Sequence, residues 1–354
     1  MRRPTRPVFL GKIQIGGGAP VVVQSMTKTP TQDVERTVAQ IRSLEEAGCE
    51  VVRVAVPDLE AARALEKIKA RVSLPLVADV HFDYRLALAA LGAGADGLRL
   101  NPGNIGDKAK IEKVVDKARE RRVPIRIGVN AGSLEKDLYA KYGGVTAEAL
   151  VESALRHVRL LEEMDFRLIK VSVKASDVPL TVQAYRLLSQ KVDYPLHVGI
   201  TEAGPGNRGL IKSAVGIGIL LAEGIGDTIR VSLTGDPCLE VWAAWEILKV
   251  LGLRKRGIEL ISCPTCGRCE IDVLAIATEV DRRLRRVTAP IKVAVMGCAV
   301  NGPGEAREAD VGLAGGRGWG VIFRHGRLVK KVPAERLVEE LLETIKEMGI
   351  EGVE

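Results

Sequence analysis

Through roughly the first 250 residues, short apolar β-branched segments alternate with longer amphipathic ones. The short segments are 20–26 (PVVVQSM), 50–56, 74–80, 97–102, 124–129, 168–173, 195–200 and 228–233. Stretches between them, such as TQDVERTVAQIRSLEEAG and DLEAARALEKIKA, repeat apolar residues every three or four positions, and the first ends at Gly48. That spacing predicts helices closing on glycine. Strand and helix in alternation predict a parallel sheet with helices outside. Eight such units in about 240 residues predict a closed (β/α)8 TIM barrel. An open doubly wound sheet would place a glycine-rich fingerprint after the first strand, and QSMTKTPTQD has none.

Near residues 253–258 the pattern changes. A cysteine-bearing loop, ISCPTCGRCEID (261–272), leads into a helical stretch, then the strand IKVAVMG and the loop CAVNGPGEAREAD. A hairpin, WGVIFRHGRLVKKV, is predicted to turn at His325–Gly326, before a last helix with Pro333 at its first position. The expectation is α/β overall: a (β/α)8 TIM-barrel domain, 1–255, followed by a small α+β cysteine-bearing domain, 256–354.

The strand middles break the apolar pattern. Arg53, Arg99, Arg126, Lys170, His197 and Arg230 each stand between apolar neighbours, while Asp79 and Gln24 occupy the other two strands. Doubly buried strands normally read as continuous apolar runs, and a charge there is costly unless paired or wetted. Repetition over six strands favours a cationic bowl at the carboxyl-terminal rim, where barrel active sites gather. Guanidinium forks suit phosphate oxygens, so the bowl predicts a small, phosphorylated substrate. The following loops add His81, Asn101, Asn130, Ser172, Lys174, Thr201, Glu202 and Ser232. Glu202, acidic in basic surroundings, reads as a general acid–base or a salt-bridge partner.

The formal net charge of +7 raises a nucleic-acid reading. Aromatic residues are only 3% of the chain, which leaves few stacking platforms for single strands. The densest basic run, 282–286, reads as a solvated helix face. No apolar run approaches the roughly 18 residues of a membrane helix, and the amino terminus lacks the apolar region of a signal peptide. The expectation is a cytoplasmic protein with neither membrane nor nucleic-acid partners.

Cys263, Cys266 and Cys269 follow one another at two-residue gaps, and Cys298 lies after the next strand. In a reducing compartment clustered thiols more often bind metal than pair as disulfides. CPTCG resembles one knuckle of a zinc ribbon, which would make a nucleic-acid-binding module, but a second knuckle is missing. C-x2-C-x2-C opens a ferredoxin-type iron–sulfur site, with Val273 where the next cysteine would fall. Cys298 completes four thiolates and a closed electron-transfer cluster. Glu305, seven residues further on, is the alternative to Cys269 and would leave one iron open to substrate. A metal-free lyase with a Schiff-base Lys170 or Lys174 would leave the thiolates idle.

Together, ISCPTC and VMGCAVNGPGEA, after a barrel carrying VRV, LRLNPGN, RIGVN, TEAG and RVSLTGDP, resemble the 4-hydroxy-3-methylbut-2-enyl diphosphate synthase family over essentially the whole chain. Its compact bacterial two-domain form is the closer in length. The resemblance implies two-electron reductive ring opening and dehydration of 2-C-methyl-D-erythritol 2,4-cyclodiphosphate, in the methylerythritol phosphate route to isoprenoids. It implies a [4Fe-4S] cluster held by Cys263, Cys266, Cys298 and Glu305; the family's ligand set needs no cysteine where Cys269 stands, so Cys269 has no role in it. It implies diphosphate-binding by Arg53, Arg99, Arg126, Asn130, Lys174, Thr201, Arg230 and Ser232, with His81 beside the substrate. Glu202 matches a proton donor, and Asn301 a residue near the cluster. The implied partners are ferredoxin or flavodoxin as electron donor, and a second copy of the chain, whose cluster domain caps the barrel.

Overall fold

The computed structural model describes residues 2–298, 304 and 306–354. The chain forms two compact units, 1–254 and 255–354. The first opens with a hairpin, β1 (Val8–Leu10) and β2 (Ile13–Ile15). Eight parallel strands follow: β3 (Val22–Met26), β4 (Val51–Ala55), β5 (Leu76–Asp79), β6 (Gly97–Leu100), β7 (Ile125–Asn130), β8 (Ile169–Lys174), β9 (His197–Val198) and β10 (Thr228–Ile229). Their order is β8-β7-β6-β5-β4-β3-β10-β9, and a parallel bridge between Val171 and Leu196 joins the two ends. The predicted barrel is therefore the observed one.

The opening hairpin was not anticipated from the pattern, because two three-residue strands are too short to show a period. Val8, Leu10 and Ile15 pack on Val22, Val51 and Val77, at or near the starts of β3, β4 and β5. This apolar plug closes the amino-terminal end and leaves the other end for chemistry.

Helices α1 (Val34–Glu46), α2 (Leu59–Lys69), α3 (Tyr84–Gly92), α4 (Lys108–Arg121), α5 (Lys136–Tyr142), α6 (Ala147–Glu163), α7 (Val178–Ser189), α8 (Gly206–Ala222) and α9 (Pro237–Val250) surround the sheet. Asp33, Asp58, Asp83, Asp107, Asp177 and Asp236 cap α1, α2, α3, α4, α7 and α9 by accepting first-turn N–H groups, and Thr146 caps α6. Such caps are worth about 1 kcal/mol each and fix where each rim loop ends. The long helix α8, after Thr201–Glu202, starts at Pro205 without a side-chain cap.

The second unit is a five-stranded sheet of β11 (Ile258–Ser262), β12 (Ile291–Met296), β13 (Val311–Gly316), β14 (Trp319–Arg324) and β15 (Arg327–Pro333). The first three strands are parallel and the last two antiparallel. Helices α10 (Val273–Arg283) and α11 (Leu337–Glu347) bury Val280, Leu341 and Ile345 against Val293, Val295 and Leu313. The opposite face presents Ala294, Met296 and Phe323 to Ala306 and Ala309. The hairpin turns where expected, with His325 and Gly326 both left-handed, as a tight two-residue turn requires. The last helix starts later than its sequence suggested: Pro333 ends β15, a 3-10 turn follows over 334–336, and α11 begins at Leu337.

Candidate active site

Strand register sets the depth of each barrel cation. Asp79, Arg99, Arg126 and Lys170 are partners across β5, β6, β7 and β8. Asp79 is the last residue of β5, whereas Lys170 is the second of β8. Strands tilt in a closed barrel, so one register row descends around it. The bowl expected at the carboxyl-terminal rim is thus a row that descends from the rim into the barrel. Lys174, paired with Asn130, ends β8 four residues above Lys170 and on the same face. Arg230 follows β10 directly, and Arg53 is the middle residue of β4.

The upper layer has one carboxylate at its centre. Asp79 Oδ2 lies 3.6 Å from Arg53 Nε and 3.4 Å from His81 Nε2, and Oδ1 lies 3.4 Å from Arg99 Nη1. Burial alone would raise the Asp79 carboxyl, but the charge of Arg53, then His81 and Arg99, hold it well below the usual carboxylate range. Arg99 Nη2 also donates to the Gly128 carbonyl at 2.9 Å. A Cβ on Gly128 would stand 2.5 Å from Arg99 Nε, so this strand position must be glycine for the guanidinium to cross it. Gly199 does the same for Lys174, whose Nζ would lie 2.7 Å from a Cβ there.

A second buried carboxylate came from outside the strands. Glu240 on α9 accepts from Ser25 Oγ (3.1 Å) and the Leu233 N–H (3.0 Å), and lies 3.0 Å from Lys28 Nζ and 3.6 Å from Arg230. Sequence reading missed it; the available signal was an acidic residue on the buried side of an otherwise apolar helix. Burial, then Arg53, push Arg230 down to about 10, with Glu240 opposing.

These two carboxylates do not balance the cations. Arg126 is 3% exposed, and burial, then Arg53 and Arg99, push its guanidinium well below the usual range. Lys174 is lowered well below an ordinary lysine by burial, then by Arg126 and Arg230. Lys170 and His197 lie lower. Burial, then Arg126, push Lys170 down to about 7, with Asp227 opposing. His197 Nδ1 and Thr228 Oγ1 are 2.7 Å apart, and burial, then Lys174, keep the ring neutral. Arg99 Nε, Arg126 Nε, Arg230 Nε, Lys170 Nζ, His197 Nε2 and Gln24 Oε1 are buried without a hydrogen-bond partner among the described residues. The interior holds far more donors than acceptors, so it is built to receive an acceptor-only group.

At the rim, Asn130 and Thr201 are half-buried, as is Ser232, while His81 is exposed. Glu202 is exposed and sits at φ 52°, a left-handed conformation uncommon for a non-glycine residue. Such strain collects at functional positions.

The thiols gather for a topological reason. Cys263 follows β11 and Cys298 follows β12 closely, and these strands are parallel neighbours. Both loops therefore leave the same sheet end, the usual place for sites in parallel sheets. The Cys263 N–H donates to the Val295 carbonyl (3.2 Å), and the Gly297 N–H donates to Cys263 Sγ (3.1 Å). Thr265, at φ 61°, turns the loop back. Cys263, Cys266, Cys269 and Cys298 all line one cavity of about 170 Å³, with Arg268, Met296 and Gly297. A Cβ on Gly297 would meet Cys269 Sγ at 2.6 Å and Cys263 Sγ at 3.1 Å, so the missing side chain keeps the cradle open. The donor set of soft sulfurs suits iron–sulfur chemistry. Glu305 and Asn301 lie outside the described residues.

Fold and site together define an anion-binding (β/α)8 barrel followed by a separate thiol-bearing unit. Family models described as the GcpE TIM-barrel domain and the GcpE protein C-terminal domain match residues 5–245 and 259–347. The chain belongs to the GcpE family. It is 61% identical over 348 residues to a Geobacter sulfurreducens protein named 4-hydroxy-3-methylbut-2-en-1-yl diphosphate synthase (flavodoxin), covering 98% of this chain and 99% of the relative. A protein of the same name from Thermodesulfovibrio yellowstonii is 59% identical over 345 residues, with 98% and 99% covered. Among solved structures, the Yersinia pestis dihydropteroate synthase aligns with a TM-score of 0.51 at 12% identity, covering 70% of this chain and 97% of that one, which is a likeness of fold. With both units matched, the zinc-ribbon nucleic-acid alternative has no support. No described helix is long and apolar enough to cross a membrane.

Proposed function

We propose that this chain catalyses the reductive ring opening and dehydration of 2-C-methyl-D-erythritol 2,4-cyclodiphosphate to 4-hydroxy-3-methylbut-2-enyl diphosphate. The observation that carries the reading is the barrel's surplus of buried, unpartnered cationic donors, which an acceptor-rich anion would complete. The names of the relatives supply the product and a flavodoxin donor; ferredoxin is the alternative. The site for a [4Fe-4S] cluster is the thiol cavity, with Cys263, Cys266 and Cys298 as ligands and Glu305 as the fourth.

Arg53, Arg99, Arg126, Lys174 and Arg230 grip the diphosphate, and Asn130, Thr201 and Ser232 add neutral hydrogen bonds. The uncapped start of α8 offers N–H groups at the same rim. His81, held by Asp79, orients the substrate edge that faces solvent. When bound, the cluster supplies single electrons and a Lewis-acidic iron for the hydroxyl that is lost. The ring C–O bond breaks and frees a phosphate oxygen. Two electrons and one proton enter and one water leaves, so a dianion becomes a trianion. The buried cations are placed to stabilise that added charge without reorganising. Glu202 delivers a proton to the departing hydroxyl, and Asn301, outside the described residues, is the remaining candidate contact to substrate.

The two sites belong to separate units and must meet during turnover. We place them together in a homodimer, one chain's thiol unit over its partner's barrel. A stripe on α8 (Ile211, Val215, Ile219) and another on α9 (Leu239, Trp242, Val250) are exposed and apolar, a surface that supports self-association. A reducing cytoplasm suits the free thiols. The test is anaerobic turnover of the cyclodiphosphate by iron-reconstituted protein with reduced flavodoxin, product read by mass spectrometry. Absence of product despite four irons per chain would overturn the assignment.

A further inference from the structure

The thiol cavity contains one sulfur more than the proposed ligand set requires. Cys269 Sγ is not turned away from it. It lines the same cavity as Cys263, Cys266 and Cys298, and it converges with Cys263 Sγ on the empty side-chain position of Gly297. The Cys269 N–H donates to the Cys266 carbonyl (2.9 Å), which folds the loop into a turn. The Glu270 N–H then anchors this turn to the Gly297 carbonyl at 2.9 Å, on the strand side that carries Cys298. The thiol donates a hydrogen bond to the Ile271 carbonyl, 3.1 Å away.

We propose that Cys269 is an alternative ligand for the fourth iron, so that the chain can hold its cluster with four thiolates when the carboxylate of Glu305 is displaced or removed. This rests on the cluster reading above. The exchange balances without electron transfer. The Cys269 S–H bond breaks as an iron–sulfur bond forms, the iron–carboxylate bond breaks, and the released carboxylate can take the proton. Thiolate is the softer ligand and holds iron more firmly than carboxylate. The four-thiolate form therefore retains iron but presents no weak ligand for substrate to displace.

The test compares wild type, Cys269→Ala, Glu305→Ala and the double variant, each reconstituted anaerobically with iron-57. Iron is counted, and the clusters are read by Mössbauer spectroscopy and, after mild oxidation, by electron paramagnetic resonance. Wild type and Cys269→Ala are expected to show four irons with one distinct. Glu305→Ala should keep four irons, now all thiolate-like. The double variant should drop to three and give a three-iron signal. A Cys269→Ser variant and melting curves separate ligand loss from misfolding, because a folded chain that loses only the fourth iron has lost a ligand. A Glu305→Ala protein that already holds three irons or none, or a double variant with the spectrum of Glu305→Ala, would overturn the role of Cys269 alone. Wild type without iron would overturn the cluster reading and this role with it.

Discussion

The barrel's candidate site is built on strand residues, buried and fixed by register, whereas that of the second unit lies in loops at one end of a small sheet. Arg126 and Lys170 are almost wholly removed from solvent, and a buried charge opposes folding until an anion arrives. The thiols are half-buried or, for Cys266, exposed, and as small soft groups they cost the apo fold little. The first site is prepaid in strain and rigid. The second is permissive and waits for its group. Damage to one should therefore read out differently from damage to the other.

The largest separation is expected at Glu202. Glu202→Gln keeps the shape and removes the proton, so kcat should fall about 10²- to 10⁴-fold, with substrate affinity and iron content unchanged. Single-turnover kinetics with a pre-reduced protein checks this. A change confined to KM would mean that Glu202 binds substrate and does not deliver a proton.

Arg126→Met comes next. Losing one partner of a buried charged contact costs about 2–4 kcal/mol, so calorimetry should show affinity reduced roughly 30- to 10³-fold. The substrate-free protein should melt higher than wild type, since an unpaired buried charge has gone. Lower affinity together with a lower melting temperature would mean that Arg126 is structural. In the other unit, Gly297→Ala puts a methyl group against two sulfurs and should cut iron content several-fold, while substrate affinity stays at the wild-type value. Coupled losses in both measurements would break the division between the sites.

What the sequence disclosed follows the same division. Charges inside β-branched runs announced the barrel site because such strands are otherwise uniformly apolar, and the spacing of Cys263, Cys266 and Cys269 announced the thiol loop. Depth was not legible: barrel shear places Arg99 and Lys170 in one register row at different levels, and no local pattern encodes shear. Nor was the second counter-charge. Glu240 reaches the site from a helix, and Gly128 and Gly199 matter for the side chains they lack. The opening hairpin escaped notice because its strands are three residues each.

The finest test concerns protons. Lys170 is faced by Lys174 on its own strand, Arg126 on β7, His197 on β9 and Asp227 before β10. Its value of about 7 lies below the ~10.4 of an unfolded lysine. Between these values the unfolded chain binds more protons, so this group makes the substrate-free fold more stable as pH rises from about 7 toward 10. A bound dianion reverses the balance by favouring the charged lysine. Binding at pH 8 should therefore take up a fraction of a proton, and affinity should weaken as pH climbs above about 7. Calorimetry at pH 8 in buffers of different ionisation enthalpy measures the uptake directly. Lys170→Met should reduce it and flatten the pH dependence. Uptake unchanged in Lys170→Met would assign the proton to Lys174 or His197, and the lower layer would then be a passive floor beneath a site completed entirely at the rim.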